Sequence, residues 1–384
     1  MTATERDGAP RVELVPGSLR KVCQLTGEHD RQRGTFAHNR TESRFGVVGT
    51  DLGASVEHDG RLWFLFGDTW PDADGGDSVA WTTDRSPEPG IGLTFVSSGS
   101  RFVSPRVTAV DGRPVSARFF EVPLDGFSAD GDLYVFRSTD HYREGGREVM
   151  GRSVLTRAID GDPTDLTHLY DFSVVRDGGR FANVSCVLVD DAPAGLPFRG
   201  PALLAWGSGR YRASDPYLAC VPLPAVERRG SWRYLAGTDR SGRPVWTADE
   251  RDAAPIFHHP EIGELSVTWN APLGLWLMLY NAGSPRGIVA RVAADPWGPW
   301  SGPTVVFDPA WPGTGYGTFM HARHARDGLS DPGREHEWGG EYGPYVIDRY
   351  TRGLPGGAAA VYFVLSTWNP YNVVEMRMVL RRVT

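Results

Sequence analysis

An all-β chain folded as a five-bladed β-propeller is what this sequence predicts, on three observations. Glycine and proline punctuate it throughout, no long stretch carries the amphipathic period of a helix, and aromatic, β-branched runs recur at even spacing. The runs are "DGRLWFLFGDTW", "DGDLYVFRSTD", "GPALLAWGSG", "PLGLWLMLYNAG" and "GGAAAVYFVLSTW", centred near residues 63, 134, 204, 276 and 362. Their spacing of about 70 residues marks a repeat architecture, with a last gap that is longer. A pair of large β-sandwiches is the alternative, and five even units fit it poorly.

Each unit holds the same parts. A first strand precedes a turn, an aromatic second strand follows, and a third carries small and apolar residues, as in "SVLTRAI", "DPYLACVPL", "GIVARVAAD" and "VVEMRMVL". Four strands per unit, repeated five times around an axis, remove most exposed sheet edges. The units exceed the roughly 40 to 45 residues of a compact blade, so the excess is loop, and long loops on one face are where a site is built. Residues 1–39 read as an N-terminal extension packed on or closing the propeller, and 40–384 as a single propeller domain.

The first strand of each blade lines the central channel, so polar residues there meet at one mouth. Unit one offers "GTDLGASVEH" with Asp51, and its second strand ends in Asp68. Unit two offers "FFEVPLDGF" with Glu121 and Asp125, and unit three "FANVSC" with Asn183 and Ser185. Unit four offers "GELSVTWN" with Glu264, and unit five "EYGPYVI" with Glu341 and Tyr345. Several carboxylates around one pocket suit glycoside hydrolysis, in which one protonates the leaving oxygen and another activates water or attacks the sugar. An aspartate beside glycine also serves as a turn residue. Asp51 precedes the strand that faces the axis; Asp68 fits an Asx turn or an arginine pair equally well. A glutamate beside apolar "LSVTW" is no solvated surface charge, and Glu264 suits a general acid or a buried salt bridge equally well.

Aromatics are the second part of the constellation. Of thirteen tryptophans, Trp63, Trp276 and Trp297 fall at blade-core positions, while Trp70, Trp269, Trp338 and Trp368 fall at strand ends or in loops where an indole can stack on a sugar. Trp70, Trp269, Trp368, Glu121, Asp125, Asn270, His321 and Tyr345 are taken as substrate contacts.

Composition excludes other classes. A net charge of −7 argues against nucleic acid. Lys21 is the only lysine, so the many arginines read as codon bias rather than an anion site. Cys23, Cys186 and Cys220 are widely spaced and form no CxxC site. His258 and His259, and His321 and His324, lack an HExxH pattern or a third ligand. Propeller channels can hold calcium among oxygens, but no ligand set stands out, and no cofactor or metal is expected. No GxGxxG opens a helix, and "GSGRYRASDP" has no strand-to-helix elbow for a serine hydrolase. No run of about 18 apolar residues suggests a membrane span. The start lacks a secretory signal pattern, so the protein stays inside the cell or the chain begins after a removed leader.

"VVGTDLGASVEHDGRLWFLFGDTW", "GELSVTWNAPLGLWLMLYNAG", "RVAADPWGPWSGP", "YGPYVIDRYT" and "VYFVLSTWNPYNVVEMRMVL" together resemble the bacterial domain of unknown function 4185, grouped as glycoside hydrolase family 183, from about residue 40 to the end. The resemblance implies a five-bladed propeller and an endo-acting D-arabinanase that cuts arabinofuranose linkages such as those of mycobacterial arabinogalactan and lipoarabinomannan. By analogy with five-bladed furanosidases it implies Asp51 as base or nucleophile and Glu264 as acid, tuned by Asp68, Glu121 or Asp125. The rivals are a carbohydrate-binding propeller without chemistry, which needs no Asp51–Glu264 pair in one pocket, and a structural propeller, which needs no acidic pocket at all.

Overall fold

Five sheets stand around one axis in the computed structural model, which describes residues 8–71, 76–322, 327–329, 331, 334 and 336–383. His324 lies outside the described residues. The inner strands are Leu52–His58, Pro123–Ala129, Asn183–Val189, Leu265–Asn270 and Glu341–Val346. Each packs against the next, and the fifth packs against the first, closing the ring. Outward from the inner strand, blade one continues through Arg61–Phe66, Ser78–Thr82 and Thr94–Phe95, and blade four through Leu275–Gly283, Arg286–Ala293 and Thr304–Phe307. In blade two, Arg106–Ala109 adds in parallel to the outermost antiparallel strand, Asp162–Val174.

The second strands carry apolar runs on both faces because both faces are buried, each against a different neighbour. Side chains alternate along a strand. In "RLWFLF", Leu62, Phe64 and Phe66 point into the cluster shared with blade five, and Trp63 and Leu65 into the one shared with blade two. In blade four, Leu275, Leu277 and Leu279 face blade five while Trp276, Met278 and Tyr280 face blade three. A fifth cluster, built on Phe136, Phe172, Phe181 and Trp232, joins blades two and three. Interblade packing of this kind is the main source of stability in a fold whose blades cannot bury both faces alone. Trp63, Trp276 and Trp297 are buried, as are the three cysteines, none of which forms a disulfide.

Blade five is completed from the other end of the chain. Its inner strand pairs with Ala358–Thr367, which pairs with Asn372–Val383. The outer edge of Asn372–Val383 takes both Arg11–Leu14 and Arg20–Gln24, with Arg11 opposite Val383 and Gln24 opposite Val374. Lys21 in the second of these segments is buried in a 2.7 Å ion pair with Asp30. No helix among the described residues is long and apolar enough to cross a membrane.

Candidate active site

The chain enters the inner strands of blades one, four and five at the same mouth of the channel. Asp51 precedes Leu52–His58, Glu264 precedes Leu265–Asn270, and Glu341 and Tyr342 open the inner strand of blade five. Asp68 returns to this mouth because Arg61–Phe66 runs antiparallel to Leu52–His58, pairing Phe66 with Leu52. Together Asp51, Asp68, Glu264, Glu341 and Tyr342 line a cavity of about 450 Å³.

Local backbone chemistry fixes the two aspartates. The register slips between Leu52 and Ala54, with Leu52 at φ 60° and its N–H donated to Ser366 Oγ at 2.7 Å. Gly67 donates its N–H to the Asp51 carbonyl, and a Cβ at residue 67 would lie 2.4 Å from Asp51 Oδ1, so only glycine leaves room for that carboxylate. Thr69 Oγ1 lies 2.8 Å from both Thr50 Oγ1 and Ser78 Oγ, tying "GTD" to "GDT". The Asp68 carboxylate accepts the Phe120 N–H at 3.0 and 3.1 Å. Leu52, Phe120 (φ 69°) and Arg212 (φ 50°) all line the cavity in the left-handed region. Four of the other five described non-glycine residues at positive φ are aspartates, which tolerate it better than leucine or phenylalanine. Strain of this kind collects at functional sites.

Burial, opposed by the neighbouring hydroxyls of Tyr342 and Tyr371, and repulsion from Glu264 and Asp77 leave the Asp51 carboxyl raised to about 7. Burial, with repulsion from Asp51 and Asp77, raises Asp68 to about 8. Tyr342 Oη donates to Asp51 Oδ2 at 3.0 Å, and Tyr371 Oη to the Asp68 carbonyl at 2.8 Å. Glu264 Oε1 accepts from Tyr211 Oη at 2.5 Å, and Oε2 lies 3.6 Å from Arg212 Nη2 without a hydrogen bond. Asp51 Oδ1 and Glu264 Oε2 are buried oxygens with no hydrogen-bond partner. Arg286 pairs with Glu341 at 3.4 Å and lies 4.2 Å from the Trp338 ring centroid. Both cavity arginines are thus paired, as is Glu148 with Arg143 at 3.3 Å, while Asp51 and Asp68 add carboxyls without a cationic partner in the cavity.

Aromatic side chains ring the mouth. Phe119, Phe120, Trp338 and Trp368 line it and are exposed, and Trp70 stands just outside, edge-on to Phe119 at 6.3 Å. These are five of the twelve exposed large apolar side chains described, a concentration that scattered surface hydrophobics do not show.

Of the residues singled out from sequence, Asp51, Asp68, Glu264, Glu341, Trp338 and Trp368 meet in this cavity, Trp70 stands at its rim, and the others lie elsewhere. Glu121 is turned into the wall behind it, accepting from Ser116 Oγ, the Arg118 N–H and the His141 N–H. Burial pulls that carboxyl upward but is outweighed by these bonds, leaving it below its usual range. Asp125 and Tyr345 lie in a separate cavity of about 290 Å³ within the channel. Asp125 accepts from Ser185 Oγ and the Cys186 and Gly126 N–H groups, which occupies both oxygens and suits no cation. Among the described residues no three His, Cys, Asp or Glu side chains form a metal-binding group. Trp269 and Asn270 sit at the opposite end of the strand that Glu264 precedes; Asn270 accepts the Leu273 N–H to form the hairpin turn. His321 is fully buried between Asp327 at 3.1 Å and Asp331 at 3.6 Å. Tyr211, Arg212, Arg286, Tyr342 and Tyr371 complete the site. The codon-bias reading of arginine hid two of them, and "GSGRYRASDP", weighed for its serine, carries Tyr211 and Arg212 instead.

The family model for the domain of unknown function DUF4185 matches residues 36–377. Solved structures of similar shape include a GH62 hydrolase in complex with xylotriose, at TM-score 0.46, 10% identity and coverage of 95% of this chain and 97% of that one. An exo-beta-1,3-galactanase from Phanerochaete chrysosporium gives 0.45 at 9% identity, over 93% and 64%. A GH43_1 enzyme from Xanthomonas citri gives 0.40 at 13% identity, over 86% and 87%. No curated protein matches the chain.

Proposed function

This chain belongs to the DUF4185 family, and on that premise we propose that it is a glycoside hydrolase that cuts inside a D-arabinofuranose polymer of the mycobacterial arabinogalactan or lipoarabinomannan type. The observation that carries the proposal is the pairing of Asp51 with Glu264. Two carboxylates from separate blades meet in one cavity; Asp51 keeps a buried oxygen without a hydrogen bond, and Glu264 Oε2 has only the 3.6 Å ion pair with Arg212. Unsatisfied buried oxygens are costly in a merely structural site; a substrate oxygen, a water or a transferable proton would complete them. A wall whose arginines are already paired favours a neutral sugar over a phosphorylated one, and Asp51, once ionised, stabilises the positive charge of an oxocarbenium-like transition state. Exposed aromatics on both sides of the mouth suit a chain that continues past the cleaved bond. A binding propeller without chemistry would have no use for the paired carboxylates.

In this reading Asp51 activates water and Glu264 protonates the leaving oxygen. One observation favours a second assignment of the proton: Asp68, raised to about 8, holds its hydrogen at neutral pH, whereas Glu264 stands beside the Arg212 guanidinium. Asp68 would then be the acid and Glu264 the charged partner that fixes Arg212. Product analysis with mycobacterial arabinogalactan tests both. Wild type is expected to release oligosaccharides, and Asp51→Asn is expected to lower the rate by about 10²-fold or more. Of Glu264→Gln and Asp68→Asn, the one that removes the acid recovers on an aryl arabinofuranoside whose leaving group needs no proton. Absence of products from wild type on this and other furanosides would refute the hydrolase.

A further inference from the structure

We propose that His141 selects the substrate by hydrogen-bonding a hydroxyl of the sugar chain held in the cavity; the inference rests on the hydrolase reading and deepens it. His141 lines the cavity beside Phe119, Phe120, Glu148 and Met150. Its ring Nδ1 and Nε2 are both buried without a partner, and it is the only described side chain with two such atoms. A buried polar group left unpaired costs about 1–3 kcal/mol, and native structures keep few.

The position of His141 is held by other bonds. Its backbone N–H goes to Glu121 Oε1 at 3.1 Å, and the preceding strand is tied to the Ser116–Glu121 loop by Thr139 Oγ1 donating to the Ser116 carbonyl at 2.8 Å. The imidazole is therefore carried to the wall by the backbone, and its ring nitrogens make no hydrogen bond within the fold. Burial lowers its pKa against the opposing pull of Glu121, Glu148 and Asp140, so the ring stays neutral and offers one donor and one acceptor. That pair matches a hydroxyl, which is also both. Other cavity groups are committed: Tyr211 and Tyr342 donate to the carboxylates, Tyr371 to backbone, and Arg212 and Arg286 are paired. Rotation about the broad terminal torsion of histidine turns a ring nitrogen toward a ligand. A site built to satisfy a hydroxyl rejects a sugar that lacks it, because the imidazole is then left unpaired.

The test is calorimetric titration of D-arabinofuranosyl oligosaccharides into the Glu264→Gln protein, carrying in turn His141, His141→Phe and His141→Gln. His141→Phe keeps the volume and removes both polar atoms; His141→Gln keeps a donor and an acceptor. His141→Phe is expected to weaken binding by about 10- to 100-fold, with His141→Gln recovering part of it, and thermal melting of each variant checks the fold. Affinities within about twofold across the series, or no binding by any member, would overturn the assignment. Wild-type cleavage with unchanged affinities would sink the histidine alone. Loss of affinity in His141→Phe beside a wild type that cuts nothing would sustain the histidine and remove the hydrolase.

Discussion

Asp51 and Asp68 are carboxyls that the fold makes hard to ionise, and both activity and stability should register it. Their carboxyls are raised to about 7 and about 8, above the values of an unfolded chain, so the native state holds protons that the unfolded state has released. The stability this adds is fully present below about pH 4 and is lost as pH rises through about 7 and then about 8. Asp68→Asn, which has no charge to force inward, should therefore melt higher than wild type at pH 9, by about 1–2 °C per kcal/mol relieved. The gain should shrink steadily toward pH 4; a melting difference independent of pH would contradict the linkage. The same groups shape catalysis: kcat/KM should rise through about 7 as Asp51 ionises, and fall above about 8 if Asp68 is the acid. At this scale the sequence made Asp51 and Glu264 legible, because each immediately precedes an inner strand. The tyrosines that hold them were not. Tyr342 sits one residue from Glu341 in "EYGPYVI", but which of its tyrosines faces the mouth depends on an irregular register between Tyr342 and Tyr345.

At the scale of the strand, direction decides function. Glu264 and Trp269 are near neighbours in sequence, yet a strand of this length carries the chain about 17 Å from one mouth of the channel toward the other. Trp269 packs edge-on against Trp276 at 5.5 Å, and Asn270 turns the hairpin. Alternation along a strand tells which face a residue takes; it does not tell which end of the strand holds the site. Trp338→Ala and Trp368→Ala should raise KM on arabinan by roughly 10-fold each, the scale of one lost stacking contact, while Trp269→Ala leaves KM unchanged. A KM raised by Trp269→Ala would mean that the polymer also engages the far face. The loops were the least legible elements. His321, taken from "MHARHARD" as a substrate contact, is buried between Asp327 and Asp331, which follow it in sequence.

For the whole molecule, the count of blades was readable because the core clusters repeat: each second strand must feed two neighbours, and that demand writes an apolar run once per blade. Residues 1–39 read as an extension packed on or closing the propeller, but the strands they contribute and the edge they join were not readable, because Arg11–Leu14 and Arg20–Gln24 are short, partly charged and paired with the far end of the chain. The family match begins at residue 36, beyond both segments. A protein begun at residue 36 would leave the outer edge of Asn372–Val383 unpaired and expose Met376 and Leu380. Such a protein should aggregate or melt at least about 10 °C lower than the full chain; an unchanged melting temperature would show that the two segments are ornament to the ring.

Lys21 gives that seam a chemical signature. The only side-chain primary amine of the protein lies within one of the two closing segments, sealed against Asp30 with Phe319 beneath it. Reagents that seek lysine ε-amines find no other side-chain target anywhere on the surface, so their uptake reports a single event, the lifting of the first strands off blade five. Arginine, in contrast, supplies the other 39 of the 40 lysine and arginine side chains and is silent to the same reagents. The composition that looked like a codon habit thus leaves the protein with one latent amine, placed where the circle of blades is joined.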